Sequence, residues 1–147
     1  MKKLLYVTLI IAGTALFTSC SKSNLSTTNE IATQPSSETS LRDILKAGPW
    51  VIDYYADEEN KSADFTGYVF TFKGDGSLSL RKGNEFYTGQ WEVLREDGVD
   101  KLFININTIN IVQNLTDKWQ VKNVNSAKLD MRNDDPKHSE FLNIKRS

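Results

Sequence analysis

Hydrophobic and polar positions divide the chain into stretches with different periods. Leu4 to Phe17 is an unbroken apolar run behind a basic head, Met1-Lys2-Lys3. Residues 21–40, SKSNLSTTNEIATQPSSETS, are half serine and threonine and show no repeating apolar position. Leu41, Ile44 and Leu45 then recur at helical spacing, with Ser40 in N-cap position, Asp43 three residues on, and Gly48-Pro49 as a stop. These signals predict a short helix from Leu41 to Lys46. From Trp50 the period falls to two. Apolar sets Trp50/Ile52/Tyr54, Tyr68/Phe70/Phe72, Leu78/Leu80, Tyr87/Trp91/Val93, Leu102/Ile104/Ile106, Trp119/Val121, Leu129/Met131 and Leu142/Ile144 alternate with polar residues. Such alternation marks strands with one buried face.

Between the strands lie Gly74-Asp75-Gly76, Gly83-Asn84, Glu96-Asp97-Gly98, Asn125-Ser126 and Asp134-Asp135-Pro136, residues that start tight turns or tolerate positive φ. Connections this short cannot cross over a sheet, so neighbouring strands run antiparallel. Two connections are longer: the acidic segment Ala56 to Asp64, read as a loop, and Thr108 to Asp117, which holds a predicted helical turn. The expected fold is all-β: an eight-stranded antiparallel up-and-down barrel preceded by a short N-terminal helix, its sticky edges removed by closure. A two-sheet sandwich is the structural alternative.

The apolar run of about 14 residues is shorter than the roughly 20 that a spanning helix needs. Thr18 and Ser19 lead from it into Cys20, the single cysteine. This arrangement resembles the lipobox of bacterial lipoprotein precursors. The resemblance implies that residues 1–19 are a signal peptide and that Cys20 becomes an acylated N-terminus bearing palmitate-type chains. Residues 20–39 would then be a flexible tether and 40–147 the barrel domain. More than one acyl chain suffices for stable anchoring, and the tether would span roughly 25 Å. Ser21 stands where an aspartate would retain such proteins in the inner membrane. The implied place is therefore the outer membrane of a Gram-negative-type cell envelope.

The opening of the domain carries a second resemblance. A short helix followed by Gly48-Pro49-Trp50 at the first strand is similar to the G-x-W opening of lipocalins. That resemblance implies a tryptophan, here Trp50, across the closed end of the barrel beneath a basic side chain from the last strand, here Arg146. It also implies a binder of small apolar molecules. The spacing of the last hundred residues is similar to that of short lipocalin-like domains of Gram-negative lipoproteins.

Charge and chemistry narrow the function. The chain has 18 Lys and Arg against 19 Asp and Glu, and two of the lysines fall in the signal, so the domain is mildly acidic. No basic stripe offers a footing for nucleic acid. There is one histidine, His138, and with Cys20 acylated neither zinc nor a nucleophilic triad finds its usual ligands. Asp57/Glu58/Glu59 and Asp134/Asp135 read as solvated charge runs. No metal, no cofactor and no enzyme activity are expected. The candidate ligand positions are the inward aromatics Tyr54, Tyr68, Phe70, Tyr87, Trp91 and Trp119. An eight-stranded lumen holds one small ligand or its own side chains, so two functions stay open. One is a lipid-anchored binder of an apolar ligand. The other is an envelope protein-interaction module with a filled barrel, using outward residues such as Phe86, Phe103 and Phe141.

Overall fold

The computed structural model describes residues 37–147, all within one compact unit. The expectations for the signal peptide, Cys20 and most of the tether lie outside the described residues. Helix α1 spans Ser37–Lys46. It begins ahead of Ser40, and the pattern misses its first turn because Ser37 to Ser40 contains no apolar residue to carry a periodic signal.

Nine strands follow: β1 (Trp50–Asp57), β2 (Glu59–Asn60), β3 (Val69–Phe72), β4 (Ser77–Lys82), β5 (Glu85–Glu96), β6 (Val99–Asn105), β7 (Asp117–Val124), β8 (Lys128–Asn133) and β9 (Glu140–Arg146). Eight of them form a closed antiparallel ring in the order β1-β3-β4-β5-β6-β7-β8-β9, which returns to β1. The sandwich alternative is therefore set aside. The two-residue β2 folds back on the end of β1, pairing Ala56 with Asn60, outside the ring. It is followed by a short 3₁₀ turn, η1 (Ser62–Phe65), and a second, η2 (Ile111–Leu115), lies between β6 and β7. The segment read as an acidic loop thus carries a hairpin and most of η1, which ends just beyond it on a buried anchor, Phe65.

Ring closure is uneven. β1 and β9 are paired along their length, from Trp50 opposite Arg146 to Asp57 opposite Glu140. β1 and β3 share a single aligned pair, Trp50 with Phe70. Beyond that pair the edge of β1 is met by the following loop, where Lys61 N–H donates to the Tyr55 carbonyl and Tyr55 N–H to Ser62 Oγ, each at 2.9 Å.

The inward faces interdigitate into one cluster that runs from Leu41 and Leu45 of α1 to Val112 and Leu115 of η2. Trp50, Trp119, Tyr55 and Phe65 are its largest fully buried members. Two strands depart from strict alternation: β7, where the β7–β8 register shifts between Val121 and Asn123, and β1. A β-bulge shifts the β1–β9 register between Ile52 and Tyr54, so Ile52 opposes Ile144 while Tyr54 opposes Asn143. The extra residue reverses the parity downstream. Tyr55 points inward at 1% exposure, and Tyr54, expected inside, lies on the outer wall at 37%.

Candidate functional site

Both ends of the barrel are built from residues far apart in the chain. At the α1 end, Trp50 Nε1–H donates to the Leu45 carbonyl at 2.9 Å. Arg146 Nη2 donates to the Ile44 carbonyl at 2.7 Å and its Nε to the Ser126 carbonyl at 3.0 Å. The last carbonyls of a helix lack intrahelical partners, and a cation there also complements the helix dipole. The Arg146 guanidinium lies 4.3 Å from the Trp50 ring centroid. Gly48 makes room for it: a Cβ at that position would stand 2.8 Å from Arg146 Nη1. Helix end, first strand and last strand are thus locked by one cation.

The opposite end is also occupied. Phe65, Val112 and Leu115 are buried there. Tyr55 packs edge-on to Phe65 with centroids 5.0 Å apart, and Trp119 Nε1–H donates to the Leu115 carbonyl at 3.0 Å. Thr116 Oγ1 accepts from Ile106 N–H at 2.8 Å, tying the approach to η2. Asn110 caps η2 and latches it to the wall. Its Oδ1 accepts from the Tyr68 hydroxyl at 3.2 Å, and its Nδ2 donates to the Tyr87 hydroxyl at 2.8 Å. Both tyrosine hydroxyls also meet Glu85 Oε2, at 3.1 and 3.2 Å. Burial, then Glu85, pushes the Tyr68 phenol up to about 12. Burial, then Glu140 with Asp57 and Asp117, does the same to Tyr55.

The expected ligand positions therefore fall in three places. Phe70, Trp91 and Trp119 are core residues, Tyr68 and Tyr87 belong to the latch, and Tyr54 is outside. They do not come together around one space. Among the acidic runs, Asp57 pairs with Lys61 at 2.7 Å, and Asp134 binds Lys101 at 2.7 Å. Lys101 is only 7% exposed on the outer wall, and Glu96 at 2.9 Å completes its neutralisation. No cluster of three or more metal-ligating side chains occurs among the described residues.

Two clefts open on the outer surface. One, of about 450 Å³, is lined by Val69, Thr71, Ser79, Arg81 and Phe86 between the flanking Gly67 and Gly83. Phe86, outward as its parity predicts, is 62% exposed. The other, of about 500 Å³, lies where α1 meets the barrel wall. Its floor is Gln90 and Glu92 of β5 with Phe103 of β6, and Glu92 and Phe103 are direct cross-strand partners. The β3–β4 turn, Gly74 to Ser77, makes one wall, with Asp75 Oδ1 accepting from Ser77 N–H and Oγ at 2.9 and 2.7 Å. Arg42 makes the other, its guanidinium 5.1 Å from the centroid of Trp91. Trp91 is itself fixed, its Nε1–H donating to the Lys73 carbonyl at 2.9 Å.

Sequence reasoning did not single out Arg42, Glu92, Asn110 or Glu85. Asn110 carried a signal, a polar residue between Ile109 and Ile111 in the segment predicted to turn. Arg42 and Glu92 carried none, since their meeting is tertiary.

No protein-family model and no curated protein matches the sequence. Among solved structures, the chain is similar to the crystal structure of a duf4847 family protein from Bacteroides vulgatus. The likeness has a TM-score of 0.54 at 14% identity, covering 73% of this chain and 97% of that one. At that identity the likeness is one of fold.

Proposed function

We propose that this protein is a lipid-anchored module of the bacterial cell envelope that works through its outer surface, its barrel being filled by its own core. The observation that carries this reading is the continuous cluster from Leu41 to Leu115, with Trp50, Trp119, Tyr55 and Phe65 fully buried between two closed ends. Eight strands leave room for one small ligand or for the barrel's own side chains, and here several large, fully buried aromatics take that room. The anchor rests on the lipobox-like Cys20 and the Ser/Thr-rich segment after it. A charged outer wall, with Arg81, Lys101, Lys118, Arg132 and Lys145 pointing outward, suits a tethered barrel and opposes the apolar belt of a membrane-spanning one.

The competing reading, a lipocalin-like binder of an apolar molecule, follows from the G-x-W opening and requires η2 to leave the mouth with Val112 and Leu115. Native mass spectrometry of the full chain released from membranes separates the two. The expected spectrum shows the acylated chain alone, and a stoichiometric co-purified lipid would overturn the filled-barrel reading. Labelling with a fatty-acid probe should be lost in Cys20→Ala; undiminished labelling would remove the anchor.

A further inference from the structure

We infer that the cleft between α1 and the β5–β6 wall binds a short zwitterionic peptide, its carboxylate on Arg42 and its ammonium on Glu92. The inference rests on the outer-surface reading and gives that surface a site.

Arg42 is the first reason. One face of its guanidinium is spent on Trp91, 5.1 Å away, and Trp91 is anchored to the Lys73 carbonyl. A cation over an indole is held without being neutralised, and its N–H fork remains free to present the planar geometry that a carboxylate matches. Among the described residues no carboxylate pairs with Arg42. The side chain is thus ordered in advance, which removes part of the entropy cost of recruiting it.

Glu92 supplies the complementary charge. It lies on the same cleft floor, is exposed, and no described side chain pairs with it. Asp75, by contrast, is already engaged by Ser77, whose hydroxyl and N–H hold its carboxyl below the ordinary value. One unpaired cation and one unpaired anion in a single cleft select a ligand carrying both signs and disfavour a simple anion or cation. Phe103, half-buried beside Glu92, adds an apolar seat, and Gln90 offers an amide that can both donate and accept. A space of about 500 Å³ is in the range of small-ligand sites and suits a two- or three-residue peptide.

The test is an NMR titration of the ¹⁵N-labelled full chain in detergent with the dipeptide alanyl-phenylalanine. The three indole N–H signals report separately on Trp91 in the cleft wall and on Trp50 and Trp119 in the core. The expected result is a saturable shift of the Trp91 signal with a Kd near 1 mM, while Trp50 and Trp119 stay fixed. Amidating the peptide carboxylate, or the Arg42→Gln substitution, should weaken binding about tenfold, the scale of one charge-assisted hydrogen bond. N-acetylating the peptide, or Glu92→Gln at an exposed position that leaves the fold alone, should weaken it several-fold. Unmoved Trp50 and Trp119 signals in each variant certify the fold. No saturable shift by 10 mM, an amidated peptide that binds equally well, or a response to N-acetylglucosamine in place of the dipeptide would overturn the site. A shift centred on Trp119 would instead overturn the filled-barrel reading beneath it.

Discussion

Gly48 and Arg146 provide a test in which the sign of an effect reverses. Gly48→Ala places a Cβ 2.8 Å from Arg146 Nη1. The guanidinium can withdraw only by loosening its bonds to the Ile44 and Ser126 carbonyls and its seat on Trp50. A hydrogen bond from a charged group contributes about 1.5–3 kcal/mol, and the cation–π contact on the buried Trp50 ring roughly 1 kcal/mol. Partial loss of both, set against a gain of about 0.4–1 kcal/mol from restricting the unfolded chain, leaves a net destabilisation of about 1–2 kcal/mol. In an Arg146→Ala background the clash partner is gone and only the gain remains. There Gly48→Ala should stabilise by about 0.5 kcal/mol. Urea unfolding followed by tryptophan fluorescence on all four proteins of the cycle gives the coupling, expected at about 1.5–2.5 kcal/mol. If Gly48→Ala costs the same in both backgrounds, room for the Arg146 cation is not why glycine stands there.

Four further outcomes are expected. Gly89→Ala should destabilise by about 2–3 kcal/mol, because its Cβ would clash with the Asn105 backbone carbonyl, which cannot retreat as a side chain can; an unchanged urea midpoint would contradict this. Tyr55→Ala should cost about 3–5 kcal/mol and Tyr54→Ala under about 0.5 kcal/mol, and equal costs would argue against the bulge. In base, Tyr55 and Tyr68 keep their protons up to about 12 in the fold against an ordinary 10.0, so their contribution is complete below pH 10 and is lost as pH rises towards 12. Thermal melts should fall over that window and fall less in Tyr55→Phe and Tyr68→Phe. In acid, Lys145 holds the Asp53 carboxyl below its usual value, and Lys101 does the same for Glu96. Their contributions are present above the ordinary carboxylate range and disappear as pH falls through the lowered values, so Asp53→Asn with Glu96→Gln should flatten the acid limb of the melting curve.

The barrel was legible because its lumen is one-sided: apart from the bulges in β1 and β7 the ring strands alternate, and the turn residues between them are displayed openly in the chain. Parity in β1 was not, because Asp53-Tyr54-Tyr55 offers two tyrosines to the same inward slot, and the choice is made by a bulge whose turned-out Asp53 meets Lys145 at 2.7 Å and Lys128 at 3.4 Å. Those partners sit in β9 and at the head of β8. The closed mouth was legible only as a helical turn, since nothing local in Asn110 indicates Tyr68 and Tyr87. The Arg42 cleft draws on α1, the β3–β4 turn, β5 and β6, four segments whose adjacency arises only when the ring is complete.

The pairing of β1 with β9 has a consequence for how the molecule comes into being. Every other full ladder joins strands that follow one another in the chain, so six hairpin-like contacts can form early and cheaply. The remaining full ladder must bring residues 50–57 to residues 140–146, and the loop-closure entropy for that span is met before its contacts give anything back. Until β9 has emerged and found β1, both stand as bare edges and the Trp50 end lacks Arg146. A nascent chain, or one truncated before β9, therefore exposes the edge of β1 and lacks the cation that closes the Trp50 end.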